Sequence, residues 1–225
     1  MPVIDRHSLK RLVNAVFRRL MDIEVSGQEH LPLTGGCILT TNHLSRLDTP
    51  LFLTCANRDD FCALVTDKYR SNPFFALFIK ITSSIWINRE IADHAAIRAA
   101  LSKIKAGWML GIAPEGTRSR VGSLIQAKSG TVLLAERAGV QIIPVGIQGT
   151  EECMAKLRRF NRPSIKVSYG AAYSMPSIDR NDRESSVRRN TDEMMCRIAA
   201  LLPEQYHGFY RGNPRITEIQ KEGIS

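Results

Sequence analysis

Residues 35–50 read GGCILTTNHLSRLDTP and predict, in turn, a buried strand, a polar loop and the start of a helix. The apolar run after the two glycines is short enough to be a strand. Thr49 and Pro50 favour a helix start, because proline is tolerated in the first turn of a helix. The loop between these elements carries His43 and Asp48, so the segment places ionisable side chains at the end of a strand.

The rest of the chain alternates between short apolar runs and helix signals. Strands are predicted at residues 37–41, 61–65, 85–87, 108–112, 141–145 and 165–169. Helices are predicted from residue 73, from a cap at residue 93 to residue 107, and at residues 130–138 and 183–202. This order predicts an α/β fold, with a mixed, largely parallel sheet flanked by helices. Ligands of open α/β sheets commonly bind at the carboxyl ends of the strands.

The N-terminal segment predicts an amphipathic helix within residues 1–22, ahead of a single domain at residues 23–225. Its apolar residues follow helical spacing, and they are Leu9, Leu12, Val13, Val16, Phe17, Leu20 and Met21. Two alternatives stay open: this stripe packs on the domain core, or it lies in the surface of an anionic membrane. The phenylalanine-rich residues 74–78 are a second candidate for membrane contact.

The 225 residues carry a formal net charge of +9, from 31 lysines and arginines against 22 acidic residues. Nucleic acid, an anionic membrane surface and phosphorylated substrates all fit this excess, as does a merely basic surface. No apolar run reaches the roughly 18 residues of a membrane-spanning helix, and no signal peptide is predicted. We therefore expect a peripheral protein at the cytoplasmic face of the cell membrane. The five cysteines lack CxxC or metal-ligand spacing and predict reduced, buried thiols.

The segment NHLSRLD at residues 42–48 places a histidine and an aspartate five residues apart. A turn between them would bring the Asp48 carboxylate to Nδ1 of the His43 ring. That contact fixes the tautomer, leaves Nε2 as a general base for an acceptor hydroxyl, and stabilises the imidazolium. The alternative is structural: Asp48 caps its helix and His43 packs in the core.

The segment PEGTRS at residues 114–119 has the composition of an anion-binding loop. Glycine lets backbone N–H groups approach an anion closely, and hydroxyl and cationic groups add donors. The residues concerned are Gly116, Thr117, Arg118 and Lys128. Because a carboxylate repels phosphate, we expect Glu115 to orient Arg118 or to accept a hydrogen bond from the substrate. Taken alone, the segment also fits a polar turn.

Two further segments coincide with predicted strands. IWINR ends at Arg89, whose guanidinium suits a bidentate contact with phosphate. IPVGI contains Pro144, which lacks a backbone donor and in isolation predicts an edge strand. Each of these two signals is weak by itself.

In this order, the segments NHLSRLD, IWINR, APEGTRS and IPVGI resemble the four sequence blocks of the lysophosphatidic acid acyltransferase family, the 1-acylglycerol-3-phosphate O-acyltransferases. The similarity covers roughly residues 25–150, and the C-terminal stretch TDEMMCRIAALLPEQYHGFY looks like the tail of bacterial members. The chain departs from the family pattern at Ala113, where phenylalanine is usual, and in its lack of predicted transmembrane helices. Alanine at this position would widen the adjacent pocket.

The resemblance implies an enzyme that acylates the free hydroxyl of 1-acylglycerol 3-phosphate, a lysophospholipid, and makes phosphatidic acid in phospholipid biosynthesis. It implies that His43 is the catalytic base and Asp48 its partner. Acceptor binding is implied for Arg89, Glu115, Gly116, Thr117, Arg118 and Lys128. Pro144 would lie on the side of the acyl donor, which is acyl-CoA or acyl-acyl-carrier-protein. No metal or bound cofactor is implied.

Other functions fit parts of the sequence. Relatives with the same first and third blocks acylate glycerol 3-phosphate or other lysolipids, so the acceptor stays open. A basic nucleic-acid-binding protein would explain the charge but not NHLSRLD and PEGTRS, and the aromatic residues lie in apolar runs instead of a basic patch. We therefore expect no nucleic-acid partner. A membrane-binding module without catalysis would leave His43 and Asp48 unused.

Overall fold

A computed structural model describes residues 5–223 of the chain, except for the side chain of Phe74. Residues 1–4 of the predicted N-terminal segment and residues 224–225 of the predicted domain lie outside the described residues. The Phe74 side chain, which belongs to the second predicted membrane contact, lies outside them too.

The described residues form a seven-stranded sheet. Its strands are β1 (Asp22–Ser26), β2 (Cys37–Thr41), β3 (Phe61–Thr66), β4 (Ile85–Ile87), β5 (Met109–Ile112), β6 (Ile142–Gln148) and β7 (Ser164–Tyr169). Their order across the sheet is β1-β7-β6-β2-β5-β3-β4, and neighbouring strands are parallel except for β6 with β7. The carboxyl ends of β2, β5 and β6 therefore meet at one edge of the sheet, which we call the carboxyl edge.

Helices cover both faces of this sheet. They are α1 (Arg6–Leu20), α2 (Asp48–Cys55), α3 (Pro73–Thr82), α4 (His94–Lys105), α5 (Gly130–Ala138), α6 (Cys153–Arg158), α7 (Arg183–Ala200) and α8 (Pro214–Lys221). Successive side chains of a strand point to opposite faces, and β2 shows this division. Leu39 packs in a core cluster with residues of α1 and α2, whereas Ile38 packs in another with residues of α4 and α5. The predicted α/β fold with a mixed, largely parallel sheet is confirmed.

The sequence prediction missed β1, α6 and α8. The residues of β1 alternate between exposed and half-buried, so this edge strand has no apolar run. The helix α6 has 6 residues, too few to establish a periodic pattern. The start of α8 does carry a signal, because the Asn213 side chain accepts a hydrogen bond from the Arg215 N–H and Pro214 occupies the first turn.

Pro144 does not lie in an edge strand, and that prediction is wrong. Its strand, β6, lies inside the sheet between β2 and β7. The Pro144 carbonyl accepts a hydrogen bond from the Gly170 N–H, with 2.8 Å between nitrogen and oxygen. The paired register of β6 with β7 ends at Val145 and Tyr169. The backbone of Pro144 faces β7, at a point beyond the end of that strand. The missing proline N–H therefore removes no hydrogen bond between β6 and β7.

The helix α1 divides its apolar stripe between the core and the solvent. Phe17 is 9% exposed and, with Met21 just beyond the helix, packs in the core cluster of α2 and the sheet. Leu12, Val16 and Leu20 are exposed large apolar side chains on the same helix. Packing on the core therefore accounts for one side of the stripe, and the other side presents apolar surface to the solvent.

Two features predicted from composition can be compared with the structure. All five cysteines are buried and unpaired, as predicted. Among the helices of residues 5–223, none has both the length and the apolar character needed to cross a bilayer.

We expect Phe17→Ala to lower the free energy of unfolding by about 3–5 kcal/mol, because it empties a large site in a packed core. Leu12→Ala, on the exposed side of the same helix, should change this free energy by less than about 0.5 kcal/mol. Urea denaturation followed by circular dichroism measures both variants. Equally small effects would show that α1 is not part of the folded core.

Candidate active site

Asn42 fixes the chain where it leaves β2. Its side chain is buried and pairs with the backbone of Ile147 in β6. The Asn42 Nδ2 donates to the Ile147 carbonyl and Oδ1 accepts from the Ile147 N–H, each over 2.8 Å. This side chain extends the contact between β2 and β6 by one step, so His43 leaves the sheet from a fixed position.

His43 and Asp48 are in contact at the carboxyl edge. Nδ1 of His43 and Oδ2 of Asp48 are 2.9 Å apart. The same oxygen accepts from the backbone N–H groups of Leu44 and Ser45, each over 2.7 Å, and Oδ1 accepts from the Thr150 hydroxyl over 2.6 Å. Because a carboxylate only accepts hydrogen bonds, the neutral ring is assigned its proton on Nδ1, which leaves Nε2 as the basic nitrogen. The structure thus joins the two predicted residues, and their catalytic roles stay predictions.

The environment of this pair is asymmetric. The side chain of Asp48 is 1% exposed, whereas that of His43 is 18% exposed and open to a ligand. Thr150, which holds Asp48 from the segment after β6, was not found in the sequence. It lies 102 residues from Asp48 along the chain, and a single threonine after a strand carries no recognisable signal.

Glu115 is buried behind the pair and holds the backbone around it. Its Oε1 accepts from the His43 N–H over 2.8 Å, and its Oε2 accepts from the Ile125 N–H over 3.2 Å. Burial raises the pKa of Glu115 to about 7; the two backbone hydrogen bonds oppose this shift and the Asp48 charge adds to it. The expectation that Glu115 orients Arg118 is therefore corrected, because both carboxylate oxygens accept from backbone N–H groups of other residues, and its expected contact with the acceptor stays a prediction.

Arg89 and Gly116 bring the second and third predicted motifs together. Nη1 of Arg89 donates to the Gly116 carbonyl over 2.7 Å. Gly116 has a φ of 68°, in the left-handed region that favours glycine. A Cβ at this position would lie 3.0 Å from Cδ of Lys128, so glycine also lets the lysine stem pass close to the loop.

The loop after β5 offers unoccupied donors next to His43. Within residues 5–223, the side chains of Thr117, Arg118 and Lys128 have no hydrogen-bond or ion-pair partner. Thr117 and Lys128 are exposed and Arg118 is half-buried. The Ser119 N–H donates to the His43 carbonyl over 2.8 Å, which holds this loop beside the imidazole. The arrangement suits an anion bound close to the basic nitrogen.

A cavity of about 330 Å³ lies beside this loop, between the ends of β4 and β5 and the helices α4 and α5. Its apolar lining includes Ile87, Ile97, Ile112, Leu133 and Leu134. Its lining also includes Gly116 and the polar side chains of Asn88, Arg89, Asp93, His94, Lys128, Thr131 and Arg137. Ala113 also lines the cavity, so the small side chain at this position leaves room that a phenylalanine would fill.

Pro144 takes no part in this cavity. Pro144 is buried. A Cβ built on Gly170 would lie 2.9 Å from Cγ of Pro144 and 3.3 Å from Cδ1 of Leu201. The proline ring is therefore packed against the chain after β7 and the end of α7. Pro144 is thus a buried residue, and its expected place on the acyl-donor side stays a prediction.

Glu115 should make the stability of the protein depend on pH. Its pKa rises from 4.5 in the unfolded chain to about 7 in the fold, so its stabilising contribution is complete below about pH 4.5 and is lost as the pH rises through 7. Between pH 4.5 and pH 8 we expect the wild type to lose about 3 kcal/mol more than Glu115→Gln. The amide will cost stability at every pH, so the difference between the two slopes is the quantity to measure.

Urea unfolding across this pH range measures the two slopes. Glu136→Gln, which changes an exposed glutamate on α5, is the matched control and should follow the wild type. Parallel curves for the wild type and Glu115→Gln would show that Glu115 has an ordinary pKa in the fold.

Comparison with known proteins gives consistent matches. A family model described as Acyltransferase matches residues 22–148. A curated 1-acyl-sn-glycerol-3-phosphate acyltransferase of Borreliella burgdorferi is 30% identical over 62% of this chain and 56% of its own length. The protein of the same name from Salmonella typhimurium is 36% identical over 67% of this chain and 55% of its own length. The chain thus spans about half the length of the curated relatives it matches.

A solved structure agrees with these relatives. The crystal structure of the 1-acyl-sn-glycerophosphate (LPA) acyltransferase PlsC from Thermotoga maritima has a TM-score of 0.66 to this fold and 25% sequence identity. The match covers 84% of this chain and 78% of that chain. The residues matched by the family model include the His43–Asp48 pair, the loop after β5 and most of the sheet that positions them. More than half of the chain matches that model, and the chain belongs to the acyltransferase family.

Proposed function

We propose that this protein transfers a fatty acyl group from a thioester donor to the free hydroxyl of 1-acylglycerol 3-phosphate, which makes phosphatidic acid. The observation that carries this proposal is the contact of His43 with the buried Asp48, beside a loop of unoccupied cationic donors. The names of the relatives from Borreliella burgdorferi and Salmonella typhimurium give the same acceptor.

In the proposed reaction, Nε2 of His43 takes the proton of the acceptor hydroxyl. At the same time, the hydroxyl oxygen attacks the thioester carbonyl carbon. The new C–O bond gives a tetrahedral intermediate, which collapses with cleavage of the C–S bond. The imidazolium then returns its proton to the departing thiolate. Asp48 stabilises the imidazolium between these steps, and its contact at Nδ1 keeps Nε2 directed to the acceptor.

Phosphate recognition is assigned to the loop after β5. Arg118 and Lys128 supply charge, Thr117 supplies a hydroxyl, and Gly116 lets the backbone approach the anion. Arg89 acts partly through the loop, because one of its nitrogens already holds the Gly116 carbonyl. Glu115 is a positioning residue, since it reaches the backbone of His43.

The cavity beside the loop is proposed to hold an acyl chain. Its volume, about 330 Å³, is near the lower end of the range for small-molecule pockets, and its lining is mainly apolar. Ala113 lies at the junction between the cavity and the anion-binding loop, so it is the position at which side-chain size would limit the chain.

The donor and the location of the reaction complete the proposal. An acyl thioester of either coenzyme A or acyl carrier protein fits the chemistry as donor. An activity assay that supplies each donor separately distinguishes them. The acceptor carries its own acyl chain and partitions into lipid, so we infer that the protein works as a peripheral enzyme at an anionic membrane surface, in phospholipid biosynthesis. The net charge of +9 supports such a partner.

His43→Ala should lower turnover by roughly 10²–10⁴-fold, the usual contribution of a positioned acid–base group. Asp48→Asn should also be severe, because the amide cannot stabilise the imidazolium and favours the wrong tautomer. Product formation from labelled acyl-CoA or acyl-acyl-carrier-protein measures both. His7→Ala, at an exposed histidine on α1, is the control and should keep wild-type turnover. Near-wild-type turnover by folded His43→Ala would rule out this mechanism.

Arg118→Ala should selectively impair phosphorylated acceptors. Loss of a charged hydrogen bond costs about 1.5–3 kcal/mol, so kcat/KM for 1-acylglycerol 3-phosphate should fall about ten- to a hundred-fold, with little change for the corresponding monoacylglycerol. Arg120→Ala, at an exposed arginine of the same loop, should affect neither acceptor. A panel with glycerol 3-phosphate and other lysolipids identifies the preferred acceptor. An equal loss for phosphorylated and unphosphorylated acceptors would contradict phosphate recognition by Arg118.

A further inference from the structure

The loop between α6 and β7 presents an aromatic side chain to the solvent. Residues 158–162 read RRFNR, and Phe160 is 99% exposed with a φ of 58°. The Phe160 N–H donates to the Leu157 carbonyl and the Asn161 N–H to the Lys156 carbonyl, each over 3.0 Å. The turn is therefore hydrogen-bonded, and it holds a large apolar ring fully in water, which the hydrophobic effect disfavours.

Basic residues flank Phe160 in the sequence. Arg158 and Arg159 are exposed, and within residues 5–223 their side chains have no ion-pair or hydrogen-bond partner. The neighbouring acidic groups are engaged locally: Glu152 pairs with Lys156 and Asp22 pairs with Arg162. An exposed aromatic ring next to two unpaired arginines suits a surface that is apolar inside and anionic outside, which is the composition of an anionic lipid bilayer.

The loop is fixed to the end of α1. Nη2 of Arg162 donates to the carbonyls of Arg18 and Met21 over 2.9 Å and 3.1 Å, and the Asp22 N–H donates to the Pro163 carbonyl over 2.9 Å. This end of α1 carries exposed Leu20, which follows Val16 and Leu12 at helical spacing, together with the exposed Arg18 and Arg19. We call residues 158–162 and this exposed side of α1 the docking surface.

Residues 158–162 and the C-terminal end of α1 lie at the carboxyl edge, where the candidate active site is. Thr150 holds Asp48, and its carbonyl accepts from the Cys153 N–H at the start of α6. The strand β7 runs antiparallel to β6, and β1 parallel to β7, so both begin at the same edge. At about 4.8 Å between neighbouring strands, β1 lies about 14 Å from β2 across the sheet. A bilayer on the docking surface would therefore lie close to His43.

We propose that the docking surface binds an anionic lipid bilayer, with Phe160 inserted among the headgroups and the exposed side of α1 lying alongside. Arg158 and Arg159 contact the anionic headgroups. The delivery of an acyl acceptor to His43 rests on the proposed function, whereas the binding itself does not. Single-stranded nucleic acid is not the favoured partner, because stacking of successive bases needs several aromatic rings and this surface offers Phe160 with aliphatic side chains.

The apolar part of the proposal is tested by co-sedimentation of the full chain with vesicles of phosphatidylcholine, alone or mixed with phosphatidylglycerol. Phe160→Ala should weaken binding to the anionic vesicles about ten-fold. Leu33→Ala is the matched control, because Leu33 is 83% exposed but precedes β2, at the opposite edge of the sheet. It should bind as the wild type does. Equal binding by Phe160→Ala and the wild type would overturn the insertion of Phe160.

The electrostatic part uses two double variants of equal charge. Arg158→Gln with Arg159→Gln should weaken binding about 30-fold at low salt, at about 1 kcal/mol for each basic residue, and the deficit should shrink at high salt. Arg98→Gln with Lys105→Gln, which alters exposed residues of α4, should have a much smaller effect. Equal losses for the two double variants would show that net charge alone, and not this surface, drives binding.

Two measurements separate docking from folding and from catalysis. Phe160→Trp should fluoresce at shorter wavelength with anionic vesicles and be quenched by brominated lipid, and an unquenched tryptophan would overturn the proposal. Phe160→Ala should keep wild-type activity towards a short-chain acceptor that is soluble in water. If the wild type transfers no acyl group to any acceptor, the proposed function fails while the vesicle measurements still decide the docking surface.

Discussion

The carboxylate of Asp48 is buried, and the position of the candidate base depends on the hydrogen bonds that satisfy it. An ionisable group removed from water is costly unless other donors replace the solvent. Here the donors are the His43 ring, backbone N–H groups of the loop after β2, and the Thr150 hydroxyl after β6. Because they come from the ends of two different strands, one buried side chain fixes the ring, the loop and the strand ends in a single arrangement.

The topology of the sheet explains why this arrangement forms at the end of β2. The strand β2 lies between β5 and β6 in the sheet. After β5, the chain therefore crosses to the other side of β2 before it forms β6. Loops that leave such a point diverge and open a crevice at the carboxyl ends of the strands. The loop after β5 contributes Glu115 and the anion donors, and the segment after β6 contributes Thr150. His43 lies between the two contributions because its strand does.

Local contacts were predictable from the sequence, and contacts between distant segments were not. His43 and Asp48 are five residues apart, so a turn after a strand is enough to bring them together. Thr150 reaches the same carboxylate from another strand, and its role depends on β2 and β6 being neighbours. Glu115 has polar neighbours and was expected to orient Arg118 or to accept a hydrogen bond from the substrate, but its direction is set by the backbone N–H groups that it satisfies. The edge-strand prediction for Pro144 failed similarly, since it depended on where β7 ends.

The buried Glu115 contacts the backbone of the candidate base and belongs to the loop that is proposed to bind the anion. It directly precedes Gly116, and the like charge of Asp48 contributes to its raised pKa. With a pKa of about 7, Glu115 gains or loses its charge near neutral pH. A phosphate bound by the proposed donors Arg118 and Lys128 would disfavour the charged form of Glu115, and by thermodynamic reciprocity a neutral Glu115 would favour the bound phosphate. In either form, at least one carboxylate oxygen can still accept from the His43 N–H. Binding of a phosphorylated acceptor at the proposed site would therefore shift the protonation of Glu115 without displacing the loop that positions the candidate base.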